Sequence, residues 1–265
     1  MTYLVNKYSP EFEVALTGKI IGKTAYHYTI MGTRSLGWSS TAVFGDACEY
    51  LDNSQANMNT PTTGQTLYLR SSSASDSSAG TGIRTVKITY LDASGNQQST
   101  TATLNGTTPV SLGVGFSFIQ WMESATVGSN GTAVGNITIS SNAVGAPAVS
   151  EIFEYIGAAA GKSLSCRYKV PTGYTAYAIQ FDSAAIASTM DVRLRSDVDS
   201  DNRVLNTGVF HFQDKVFLSA GSNKNSDLKY MKFPSGAVIK VSAIPGGATS
   251  GNKLDCSISL MIVQN

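Results

Sequence analysis

Charged side chains are scarce: Asp, Glu, Lys and Arg make up 14% of the 265 residues, against roughly a quarter in ordinary globular domains. The 19 basic and 18 acidic residues leave a net charge of +1, so the basic face that binding to nucleic acid requires is missing. The tightest basic group, Lys224, Lys229 and Lys232, is too sparse to line a groove. No apolar run approaches the ~18 residues of a membrane-spanning helix. The stretch from Met1 to Lys7 lacks the basic start and long apolar core of a signal peptide, so assembly rather than secretion is expected to place the protein. Cysteine is limited to Cys48, Cys166 and Cys256, an odd number and well separated; reduced, mostly buried thiols are expected. Histidine is limited to His27 and His211. Neither belongs to a His-x-x-x-His or Cys-x-x-Cys spacing, which argues against zinc.

What remains is a hydrophobic content of 42%, enough for a core, under a surface of Ser, Thr, Asn and Gly. The local period is two. Thr85 to Leu91 alternates, Asp92-Ala93-Ser94-Gly95-Asn96 turns, and Gln97 to Leu104 returns, which together predict a hairpin. Asn105-Gly106 and Gly128-Ser129-Asn130-Gly131 supply further turns. In the second half, 164–170 and 175–181 flank Pro171-Thr172-Gly173 as a second hairpin. Met190 to Arg195, Val209 to Leu218, Ala237 to Ile244 and Leu254 to Val263 read as strands. Only 40–51 and 183–188 are candidate helices. Many short strands at regular spacing predict an all-β chain of two β-sandwich (jelly-roll-like) domains with an extended N-terminal segment. The small-residue stretch 141–148 is the expected linker. The expected division is an N-terminal arm or first strands at 1–37, one sandwich at 38–142 and a second at 149–265.

Motifs with chemical content are few. Asp197, Asp199 and Asp201 alternate as carboxylates in a calcium loop do, but Asn202 stands where such a loop needs Gly and Gly208 where it needs Glu. A solvated turn is the competing reading. Gly157-Ala158-Ala159-Ala160-Gly161-Lys162-Ser163 is one residue short of a phosphate-binding loop and lies in β surroundings. No Gly-x-Ser-x-Gly occurs. No glutamate stands out as half of a glycosidase pair. Tyrosines crowd the first thirty residues at Tyr3, Tyr8, Tyr26 and Tyr28, and Tyr174 and Tyr177 follow the Pro-Thr-Gly turn. Rings of this kind serve core packing, subunit interfaces and sugar platforms alike.

The stretch from Ser71 to Ile88 (SSSASDSSAGTGIRTVKI), with Tyr90-Leu91-Asp92, Thr103 to Val110 (TLNGTTPV) and Gly128 to Ile137 (GSNGTAVGNI), resembles a module frequent in virion proteins of tailed phages, cyanophages among them. Tyr168 to Ala176 (YKVPTGYTA) and Phe233-Pro234-Ser235-Gly236 are similar to its usual companion β-domain. The resemblance implies a non-enzymatic virion component, assembled in the host cytoplasm. A capsid decoration (cement) protein that stabilises the shell is one form. A head or tail appendage that binds host glycans is the alternative. It implies no catalytic residues and no cofactor. The implied partners are further copies, as a homotrimer at local threefold sites, and the major capsid protein or other virion proteins; nucleic acid and membrane are not among them. The expected interface residues are Tyr3, Tyr8, Phe12, Tyr26 and Tyr28, on an arm reaching a neighbour. A virion subunit predicts apolar patches buried only on assembly, a glycan binder a shallow aromatic groove, and a depolymerase clustered carboxylates in a cleft.

Overall fold

The computed structural model of the chain describes residues 24–36, 45–49, 51, 57–198, 210–246 and 252–265. Among them there is no α-helix, and a single 3-10 turn at Val149–Glu151 interrupts the strands. The chain is all-β. Its strands are β1 (Ala25–Leu36), β2 (Gly45–Asp46), β3 (Leu67–Ser71), β4 (Ile83–Leu91), β5 (Gln97–Thr103), β6 (Val110–Gly113), β7 (Phe118–Val127) and β8 (Ile137–Ser140). They continue as β9 (Ile152–Ile156), β10 (Arg167–Lys169), β11 (Tyr174–Ile186), β12 (Met190–Ser196), β13 (His211–Leu218), β14 (Asn223–Phe233), β15 (Val238–Pro245) and β16 (Asn252–Gln264).

These strands form four antiparallel sheets. The first has the order β1-β16-β11-β14, and the second β10-β15-β12-β13 with β2 beside β15. The third runs β6-β3-β8-β9 and the fourth β5-β4-β7. From β10 onward the chain exchanges between the first two sheets: β10 lies in the second, β11 in the first, β12 and β13 in the second, β14 in the first, β15 in the second and β16 in the first. Period-two burial drives this. β12 buries Met190, Val192 and Leu194 and turns Asp191, Arg193 and Arg195 to its other side. Phe181, Ile258 and Leu260 of the first sheet and Val192, Leu194, Ile239 and Val241 of the second share one hydrophobic cluster. A second cluster unites Leu67, Leu69, Ile137 and Ile139 of the third sheet with Ile83, Val86, Ile88 and Met122 of the fourth. Gln120 joins the two regions: its amide donates to the Lys169 carbonyl at 2.6 Å and accepts from the Lys169 N–H at 3.1 Å.

The β4–β5 hairpin forms as expected. Asp92 Oδ1 accepts from the N–H groups of Ser94 and Asn96, both at 2.9 Å, which fixes the turn. Three expectations are corrected. The Pro171-Thr172-Gly173 corner makes no hairpin, because β10 pairs with β15 while β11 pairs with β14 and β16. Val170 instead bonds Ala237 and Gly236, and the chain crosses to the other sheet. The helix expected at 183–188 is the end of β11, where Ser183 pairs with both Cys256 and Lys224; two flanking strands override a weak local preference. Of the helix expected at 40–51, Gly45 and Asp46 are strand, paired with Ala243 and Ser242; residues 40–44 and 50 lie outside the described residues. The loop 141–148 joins β8 to β9, which are neighbours in one sheet.

The residues that carry the phage-module resemblance tie a single knot. Asp76 is fully buried. Its Oδ1 accepts from the N–H groups of Ile83 at 2.9 Å and Val134 at 3.0 Å. Its Oδ2 accepts from the Ser71 hydroxyl at 2.6 Å and the Gly135 N–H at 2.8 Å. One carboxylate thus ends β3, starts β4 and holds the loop before β8. Glycine is required where the backbone passes this close: a Cβ on Gly82 would stand 2.0 Å from Asp76 Oδ1, and one on Gly135 would stand 2.6 Å from Ser72 Oγ.

Candidate binding surfaces

Tyr26 and Tyr28 alternate with His27 along β1, so both rings project from one side of the first sheet. Tyr26 stacks on Tyr28 at 6.3 Å, and Tyr28 meets Tyr168 at 6.0 Å and Trp121 at 5.2 Å. Gln97 locks the group: its amide donates to the Tyr28 hydroxyl and accepts from the Tyr168 hydroxyl, both at 3.2 Å. Burial, then the neighbouring Tyr28 and Tyr174, raise the Tyr168 pKa, so this phenol remains a donor. Tyr26, Tyr28, Tyr168, Pro171, Tyr174 and Gln97 line a groove of about 200 Å3. Tyr26 is 45% exposed, while Tyr28 is half-buried. Of the expected interface residues, Tyr26 and Tyr28 therefore come together on a strand that pairs with β16 of the same chain. Tyr3, Tyr8 and Phe12 lie outside the described residues.

A second surface was not legible in the sequence. On β13, Phe212 is 61% exposed and Phe217 66% exposed. Register places Phe217 opposite Asp191 and, past a bulge, Phe212 opposite Arg195. Both rings thus share the outer face of the second sheet with Asp191, Arg193 and Lys215. Arg193 lies 5.5 Å from the Phe212 ring and Lys215 4.1 Å from that of Phe217. A slot of about 340 Å3, lined by Met190, Phe217, Leu218 and Ile244, opens beside Phe217. Phe and Arg are enriched in the centres of protein interfaces. The Phe-x-x-x-x-Phe spacing in 209–218 was no signal, because strict alternation would put the two rings on opposite faces; the bulge at Leu194/Arg195 brings them to one.

A trough of about 660 Å3 lies on the outer face of the first sheet and contains Asp182, Asp255, Asn225, Ser257 and Met31. Asp182 accepts from Asn225 at 2.7 Å, from Gln180 at 2.8 Å and from Ser257 at 3.3 Å. Asp255 pairs with Lys253 at 3.3 Å. Both carboxylates are thus engaged by their own sheet. In the acidic loop, Asp197 Oδ1 accepts from the Val238 N–H at 2.7 Å, while burial raises its pKa; Asp199 and Asp201 lie outside the described residues. Among the described residues no three His, Cys, Asp or Glu side chains converge as metal ligands. The Gly157–Ser163 stretch is a turn whose Ala159 and Ala160 N–H groups bond to carbonyls, so they cradle no phosphate. The three cysteines are buried free thiols, as expected.

Buried charges escaped sequence reasoning, although a lone charge inside an apolar strand was the available signal in Ile152-Phe153-Glu154-Tyr155-Ile156 and Val238-Ile239-Lys240-Val241. Glu154 is fully buried. It accepts from the Ser165 hydroxyl and from the Tyr155 N–H at 3.2 Å, with Arg167 4.0 Å away. Burial pushes its pKa from 4.5 up to about 7, against the opposing pull of Arg167 and the two donors. The folded protein therefore keeps a proton that the unfolded chain releases. The contribution of Glu154 to stability is complete below pH 4.5 and is lost as pH rises through about 7, a change of about 3 kcal/mol. Urea unfolding from about pH 5 to about pH 7.5 should show stability falling in the native protein and markedly less in Glu154→Gln, which has no proton to lose. Equal slopes would contradict the assignment.

No family model and no curated protein matches the chain. Among solved structures it is similar to that of infectious bursal disease virus, Gx strain, at 9% identity over 99% of this chain and 79% of that one, with a TM-score of 0.24. The Gt strain gives 8% identity over 96% and 76%, with a TM-score of 0.23. The N-terminal CBM22-1-CBM22-2 tandem domain from Paenibacillus barcinonensis Xyn10C gives 11% identity over 77% and 80%, with a TM-score of 0.20. Likeness this slight defines no shared fold.

Proposed function

We propose that the chain is a non-enzymatic structural subunit of a tailed-phage virion, a capsid decoration protein that binds and stabilises the shell through the outer face of β12 and β13. The observation that carries this reading is the exposure of Phe212 and Phe217 together on one sheet face, beside an apolar slot. Two exposed rings with cations over them form a patch that assembly would bury. The sequence resemblance supports the same reading, because the Asp76 knot makes its residues a matter of scaffold rather than of chemistry. The partners in this reading are the major capsid protein and further copies of the chain, as a homotrimer.

The strand orders β1-β16-β11-β14 and β10-β15-β12-β13 support one eight-stranded jelly roll, an architecture that serves viral capsid and lectin domains alike. In this reading β3 to β9 form an insertion between β1 and β10, and β2 adds to the second sheet beside β15. The seam then falls after β9, not at 141–148, because β9 pairs with β8. The test is reconstitution. Particles lacking the chain should take up purified protein saturably and at fixed stoichiometry, and particles that take up none would overturn the reading.

A second reading, a head or tail appendage that binds host glycans, is favoured by the groove of Tyr26, Tyr28, Tyr168 and Tyr174. It predicts retention on host envelopes, weakened about tenfold or more by Tyr174→Ala, which removes one stacking ring. Envelope binding that Tyr174→Ala leaves unchanged would remove the groove from consideration.

A further inference from the structure

Three cations stand side by side on adjacent strands of the second sheet. Register places Arg167 of β10 opposite Lys240 of β15, and Lys240 opposite Arg195 of β12. Like charges directly opposite one another destabilise a sheet, and here Arg167 and Lys240 are also buried. Lys169, two residues on from Arg167, adds a fourth cation on the same face. Asp46, Met58, Phe118, Arg167, Lys169 and Lys240 line a pocket of about 230 Å3 over this row. It reaches solvent where Lys169 and Thr60 are accessible.

The anions present do not balance the row. Asp46 is spent on Lys240, at 2.9 Å, and also accepts from the Ser242 hydroxyl at 2.9 Å and the Met58 N–H at 3.0 Å. Arg167 donates from its terminal nitrogens to two neutral carbonyls, those of Asn59 at 2.8 Å and Phe153 at 2.7 Å, and the nearest carboxyl, that of Glu154, stands 4.0 Å away with its pKa raised by burial. The Arg167 Nε, within a side chain almost fully buried, donates to nothing. A buried donor without an acceptor destabilises the fold, and charged donors in a recess bind oxyanions more strongly than neutral ones. Asp197 accepts from the Val238 N–H at 2.7 Å and interacts with Lys169 and Lys240 only electrostatically, so it offsets the row in part. Burial is the main cause that lowers the Lys240 pKa; Asp46 pulls it back up, and Arg195 and Arg167 add smaller downward pushes. Phe118 lies 4.7 Å from the Arg167 guanidinium and Phe210 3.9 Å from the Lys240 ammonium, giving the recess aromatic walls.

We propose that this pocket binds one small oxyanion group, a carboxylate or a phosphate, between Arg167, Lys169 and the Arg167–Lys240–Arg195 row. It opens on the same sheet face as Phe212 and Phe217, since Arg195 lies opposite Phe212 and Lys240 opposite Arg195, but its occupancy by a small anion is measured without reference to virion assembly. The probes are sodium phosphate and sodium acetate, titrated into the full chain by calorimetry at constant ionic strength set with sodium chloride. One of them should bind saturably at a single site, and the tighter of the two assigns the group. Lys169→Gln and Arg195→Gln, each checked for native near-ultraviolet circular dichroism, should each weaken binding about threefold to tenfold. Lys169 is only half-buried, so its variant retains the fold. No saturable binding of either anion, or binding unchanged in both variants, would overturn the assignment.

Discussion

Replacing Asp76 with alanine is expected to cost the folded protein at least about 4 kcal/mol, a large part of the stability of an ordinary domain. The side chain is fully buried and accepts four hydrogen bonds, from the N–H groups of Ile83, Val134 and Gly135 and the Ser71 hydroxyl. Alanine strands all four donors where water does not replace the lost acceptor. Asn is no rescue. Each carboxylate oxygen accepts a backbone N–H, so either orientation of the amide turns its nitrogen toward a donor. Urea unfolding of Asp76→Ala and Asp76→Asn should give midpoints well below that of the native chain, with Asn the milder. A loss under about 1 kcal/mol for Asp76→Ala would show that the knot is not what holds the third and fourth sheets together.

The double variant Phe212→Ser/Phe217→Ser should behave in the opposite way, with its fold intact and its adhesion gone. Each ring is more than half exposed, so its removal from the isolated chain forfeits about 1 kcal/mol of contact with Arg193 or Lys215. Once buried against a neighbour, each ring is worth about 1.5–3 kcal/mol. Loss of both weakens uptake by particles roughly 100- to 10,000-fold. Co-sedimentation with particles lacking the chain, alongside thermal unfolding, separates the two effects. Undiminished uptake would move the contact surface away from β13. A collapse in unfolding temperature would show that the rings serve the fold instead.

The sequence declared its strands because alternation over β4, β12, β15 and β16 is a local signal, and the turns at Asp92–Asn96 and Asn105–Gly106 carry their own chemistry. Sheet membership was not local. Nothing in Tyr168 to Ala176 states that Pro171-Thr172-Gly173 turns the chain from one sheet to another rather than back upon itself; that follows from the bonds of Val170 to Ala237 and Gly236, which arrive from distant sequence. Nor could spacing place β1 beside β16, more than two hundred residues away. The binding surfaces divide in the same way. Tyr26 and Tyr28 announced themselves by crowding, but their groove needs Gln97, Tyr168 and Tyr174. Phe212 and Phe217 reach one face only through a bulge, and Arg167, Lys240 and Arg195 meet only across three strands.

Quantitative mass spectrometry of gradient-purified virions tests the central claim most directly. As a structural subunit, the chain should be present at a constant ratio to the major capsid protein from one preparation to the next. A chain found only in the soluble fraction of the lysate, and absent from the particles, would contradict a structural role in the virion.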